Sequence, residues 1–193
     1  MSSSKRHTML PPVSSGPKPP THFSSSAVIA DSAVLTGTHG IAVHSESVVH
    51  PRARLDSLAG RVTVGRRCVV HERAAVGAVG AAGRVTEAAV TLADYVTVEV
   101  GATVEAGDTF VGEGTVVGVG ARVGAGAVIG KYCTLTPHSE IAAGEQVPDF
   151  TVVYSNGMRR TDKRGMTELR NKGLARQIDV LRRIIPSNPA KFT

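Results

Sequence analysis

An aliphatic residue recurs at every sixth position between Val28 and Pro148, with a small residue four places after it. The clearest run is Leu92, Val98, Val104 and Phe110, which slips by one residue and continues as Val117, Val123, Ile129, Leu135, Ile141 and Val147. Neither helical spacing nor the alternation of a strand generates such a period. A triangular coil does: each hexad supplies one short strand and one corner, and about 18 residues complete a turn. The aliphatic residues then point into a prism and stack. Only small side chains fit beside that stack at the fifth position, which suits Ala33, Ser45, Ala53, Ala74, Ala102, Ala121, Ala127 and Ser139. Glycine at the second position, as at Gly65, Gly118, Gly124 and Gly130, is expected to relieve dihedral strain at the corner. Roughly eighteen hexads obey the pattern, about six coils. The expectation is an all-β solenoid, a parallel β-helix of hexapeptide repeats, over residues 27–155.

Two departures interrupt the period. Residues 48–55 (VVHPRARL) recur 21 places later as residues 69–76 (VVHERAAV). If one coil carries three extra residues near Ala59 to Thr63, His50 lies above His71 and Arg52 above Arg73. The second departure is the Ala/Gly-rich stretch from Gly77 to Thr91, expected to be a loop extruded from one corner.

The chain has 193 residues, only 4% of them aromatic and none Trp, which is too little large side chain for a layered core. A solenoid needs none, because each coil buries its aliphatics against the next. Residues 1–26 are rich in Ser and Pro and are expected to be disordered. No apolar stretch of signal-peptide type follows Lys5 and Arg6, and the longest uncharged small-residue run, Ala74 to Gly83, is far too short to insert into a membrane. A soluble cytoplasmic protein is expected.

After Pro148 the period stops. Leu174, Ile178, Leu181 and Ile185 form one stripe of an amphipathic helix that Pro186 ends, within a basic C-terminal segment spanning residues 156–193. The stripe suits either packing back along a prism face or insertion into a partner's groove. Formal charge is +3 over residues 1–26, −4 over 27–158 and +7 over 159–193, so the basicity belongs to the tails. Arg159, Arg160, Lys163 and Arg164 could meet an acidic partner surface. Nucleic acid is not indicated, because no aromatic stacking platform accompanies these cations.

Cys68 and Cys133 occupy the inward fifth position of their hexads, several coils apart, and are expected to be buried thiols rather than a disulfide. Two enzymatic readings turn on histidine. γ-Class carbonic anhydrases hold zinc with three histidines from adjacent subunits. His39 and His44 have the spacing of one such pair, but no third histidine stands about two coils before them, and Thr36-Gly37-Thr38 replaces the usual arginine-glycine-aspartate segment. Hexapeptide acyltransferases use a single histidine in an inter-subunit cleft as general base, for which His138 is the one candidate in the regular late coils.

The segment VVHPRARLDSLAGRVTVGRRCVVHERAAVG, the late coils, VPDFTVVYSNGMRRTDKRG and the helix LARQIDVLRRIIP together resemble the dynactin subunit 6 family over roughly residues 27–187. The resemblance implies a left-handed coil, against the usual right-handed parallel crossover. It also implies a non-catalytic, cofactor-free, cytoskeleton-associated subunit supporting dynein and microtubule-based transport. Its partners would be a sister β-helix subunit of the subunit 5 type, an actin-related protein and other pointed-end subunits. The contact surface would then include Arg159, Arg160, Lys163, Arg164 and the Leu174, Ile178, Leu181, Ile185 helix.

Overall fold

A computed structural model describes residues 18–80 and 88–192. The chain winds into a left-handed parallel β-helix of about six coils, followed by one α-helix. Three flat sheets form the prism, each built from every third strand. The first face runs from Thr21–Phe23 to Gln146–Val147, the second from Val28–Ile29 to Thr151–Val153, and the third from Val34–Gly37 to Glu140–Ile141. The left hand and the aliphatic stack agree with expectation. Val49, Val70, Val98, Val117, Val123 and Val153 are wholly buried in one continuous core.

Register shows where the irregularities lie. Partners on the second face are Val28↔Val48, Val48↔Val69, Val69↔Thr97, Thr97↔Val116 and Val116↔Thr134, so successive turns take 20, 21, 28, 19 and 18 residues. Every excess residue falls at the corner from third to first face, where the strand ending at Ser57 is followed by Val62–Val64 and that ending at Ala78 by Val90–Leu92. The three extra residues thus fall in the connection 58–61, which overlaps the expected Ala59 to Thr63 stretch, of which Val62 and Thr63 are already strand. The extruded loop begins after Ala78, and its residues 81–87 lie outside the described ones. Phe110 does not join the core: it is an outward residue of the first face, and Val111 takes the inward place. The one-residue slip therefore comes at Glu105–Asp108, before Phe110 rather than after it. Likewise Ser47, not Ser45, is the buried small residue of its corner, because Val43 sets the inward ladder.

The corners obey a different rule from the expected one. At Gly118 a Cβ would lie 2.4 Å from the Leu135 carbonyl oxygen, and at Gly130 2.6 Å from the Asp149 nitrogen. Second-position glycine therefore serves the close approach of the next coil, not a special dihedral. The left-handed backbone falls two residues later and is carried mostly by other residues, among them Arg52, Arg73, Tyr95, Tyr132, His138 and Phe150, with φ between 52° and 60°.

Both ends of the prism are closed from within the chain. The first strand, Thr21–Phe23, pairs with Ile41–Val43, so the prism starts before residue 27; of the N-terminal segment expected to be disordered, residues 1–17 lie outside the described ones. At that end the last residues cap the exposed edge: Ser187 bridges Ala30, the Asn188 N–H donates to the Ile29 carbonyl (3.2 Å), and Phe192 packs on the core. At the other end Thr151–Val153 folds back as an antiparallel hairpin with Arg159–Thr161. The α-helix, α1 (Thr167–Ile184), starts two turns earlier than the apolar stripe indicates and ends at Ile185 before Pro186. It lies over the second face, where Ile178 is buried on Val28, Val48 and Val69, with Leu174, Leu181 and Ile185 beside it.

Candidate active site at the second corner

Successive turns bring residues at the end of the second face into a column. His50 and His71, which follow Val49 and Val70, stack with ring centroids 4.6 Å apart and planes tilted by 30°. This is the spacing of adjacent strands, about 4.8 Å, which the register imposes. Glu99, after Val98, is next in the column, and its Oε2 is 3.9 Å from His71 Nε2. Among the described residues, the buried Nε2 atoms of His50 and His71 have no hydrogen-bond partner.

Burying an unpaired ring nitrogen costs free energy, and burying it charged costs more, which favours the neutral imidazole. Burial pushes His71 below its ordinary value of 6.5. It does the same to His50, and the neighbouring His71 adds to the effect. Burial raises Glu99 above the usual carboxylate range, with His50 pulling against it. Glu99 also lines a cleft of about 300 Å³ between α1 and the second face, whose polar wall includes Thr97, Thr134, Arg170, Asn171 and Gln177. Two imidazoles that burial holds toward their neutral form, a carboxylate beside them and a small polar cleft lined by that carboxylate are the elements of general-base chemistry.

The other candidate histidines are less well supported. His39 and His44 sit at opposite ends of the Ile41–Val43 strand, and His39 Nδ1 lies 2.9 Å from the Ser57 carbonyl. Among the described residues no group of three His, Cys, Asp or Glu is placed to hold a metal ion. His138 is exposed at the second corner, against Gly120. Cys68 and Cys133 are buried free thiols, and burial pushes Cys68 up to about 12.

The basic exit segment is partly spent within the chain. Arg159 pairs with Glu145. Asp162 accepts from Arg164 (2.7 Å) and Arg170 (3.1 Å), and the Arg164 hydrogen bonds hold its carboxyl well below the usual range. Among the described residues Arg160 and Lys163 have no ion-pair partner, and they line a groove of about 680 Å³ with Tyr154 and Val152. The Leu174, Ile178, Leu181, Ile185 stripe is packed against the prism.

No protein-family model matches this sequence, and no curated protein does. Among solved structures, a hexapeptide transferase family protein from Anaplasma phagocytophilum superposes with a TM-score of 0.70 at 17% identity, over 84% of this chain and 91% of that one. A putative acetyltransferase from Bacillus cereus does so with a TM-score of 0.67 at 18% identity, over 85% and 92%. These likenesses establish the fold.

They correct the dynactin resemblance. The matched structures are bacterial transferase-family proteins, not dynactin subunits. With the resemblance go the non-catalytic role, the dynein and microtubule transport assignment, and the sister β-helix, actin-related and pointed-end partners. The physical reason lies in the segments that carried it. TVVYSNGMRR is the hairpin that ends the second face, and LARQIDVLRRIIP is the helix that covers it. Both answer needs that any hexapeptide prism has, namely a closed end and a covered apolar face.

Proposed function

We propose that this protein is a hexapeptide-repeat acyltransferase acting as a homo-oligomer, with His71 as its general base and Glu99 as a carboxylate close enough to stabilise its charged form. The carrying observation is the buried Nε2 of His71, without a hydrogen-bond partner among the described residues, next to Glu99, which itself lines the α1 cleft. His71 Nε2 takes the proton of an acceptor hydroxyl or amine as its heteroatom attacks the carbonyl of an acyl thioester. The C–S bond breaks, and the departing thiolate recovers the proton from the imidazolium. Glu99 stabilises that imidazolium, which burial otherwise disfavours. A cleft of about 300 Å³ accommodates a small acceptor group. Stacking the flat faces of two prisms would supply the further wall that a thioester donor needs.

The test is release of free thiol from acetyl and longer acyl thioesters in the presence of pooled amine and hydroxyl acceptors. The wild-type chain is expected to show acceptor-dependent release, and His71→Asn to lose about 10²-fold or more. Glu99→Gln is expected to lose less, and His138→Asn to leave the rate unchanged. Loss in His138→Asn with retention in His71→Asn would move the base to the other histidine and refute the assignment.

A further inference from the structure

The helix that covers the second face is apolar on both sides. Its inner stripe is buried, but Leu169, Val180 and Ile184 on the opposite side are 61%, 55% and 69% exposed. At 100° per residue, Met166, Leu169, Gly173, Val180 and Ile184 fall within about 60° of one another, forming one outer ridge. Gly173 lies in that ridge with nothing within 4 Å of where a Cβ would stand, and its φ is not left-handed. Nothing inside the chain requires a glycine there. The ridge is flanked by Lys172, Arg176 and Arg183, and the last two carry no ion pair among the described residues.

More positive charge lies on the same side. Thr134 accepts from Arg170 of α1 and pairs in register with Val152, which pairs with Arg160. Thr134, Val152 and Arg160 therefore point out of the face that α1 lies on. Arg160 and Lys163, both without an ion-pair partner among the described residues, extend the positive surface beyond the start of the helix.

We propose that the outer ridge of α1 docks the protein on an anionic lipid bilayer. A convex line of aliphatic side chains bordered by Lys and Arg, on a helix held flat against a rigid prism, matches the interfacial mode of membrane binding. No described helix is long and apolar enough to cross a membrane, so the contact is peripheral. α1 carries five basic residues against two acidic ones, Glu168 and Asp179, so the border of the ridge is positive and complements anionic headgroups.

Flotation of the full chain with vesicles tests this. Binding is expected on vesicles containing phosphatidylserine and not on phosphatidylcholine alone, and it should weaken with added salt. Leu169→Ser, Val180→Ser and Ile184→Ser together should lower it at least about tenfold. Arg176→Gln and Arg183→Gln should each lower it about fivefold. Because the substituted side chains are exposed, the thermal midpoint should stay put, and the charge variants provide a second readout if the apolar ones do not. Absence of flotation, equal flotation on neutral vesicles, or indifference to both sets of substitutions would overturn the proposal. So would dimerisation that Ile184→Ser abolishes without any vesicle binding.

Discussion

At the scale of single residues, the prism separates two needs that a corner glycine could serve. Gly118 is glycine because the next coil passes 2.4 Å from where its Cβ would be; Gly144 stands in open space with a φ of +70°. Gly118→Ala should therefore destabilise by about 2 kcal/mol or more, and Gly144→Ala by only about 1 kcal/mol, in denaturant titrations. The thiols give a second contrast with the surface. Cys68 is fully buried, and its thiol is pushed up to about 12, so it should resist alkylation in the folded chain and react at once in denaturant. Fast native-state labelling would show that the coils open locally.

Among structural elements, α1 packs outside the main core of the prism. Ile178 is its single buried residue, seated on Val28, Val48 and Val69. Ile178→Ala should cost about 2–4 kcal/mol of helix docking, seen as earlier proteolysis after Met158, while the prism keeps its own cooperative unfolding. The inner stripe of this helix was legible because four aliphatics share one face ending at a proline. Its first two turns were not, because Leu169 and Met166 belong to the outer ridge and break the single-stripe pattern. The Thr21–Phe23 strand was hidden for a related reason. It sits in Ser/Pro-rich sequence, and its place comes from pairing with Ile41–Val43 and from the C-terminal cap, both distant in sequence.

For the whole molecule, what could be counted could be placed. The hexads gave the coil, and the repeated VVH segment gave the His50–His71 stack, because a single 21-residue turn separates them. Glu99 was out of reach. It lies 28 residues beyond His71, across the turn whose length the irregular Ala/Gly stretch conceals, and no periodic count crosses that stretch. The resemblance failed for the opposite reason, since segments common to the architecture were taken for marks of a function. The stacked coils now tie stability to pH. Both imidazoles are held below 6.5 by burial, so the unfolded chain takes up protons first as the medium acidifies. Their contribution to stability is complete above 6.5 and is lost as pH falls through that value toward their folded ones. The account rests on that coil stack holding two neutral imidazoles against a carboxylate, and titration of the His50 and His71 ring resonances by NMR tests it without any substrate. Both midpoints are expected below 6.5, with the His50 midpoint falling further in Glu99→Gln; a midpoint at or above 6.5 for either ring would contradict it.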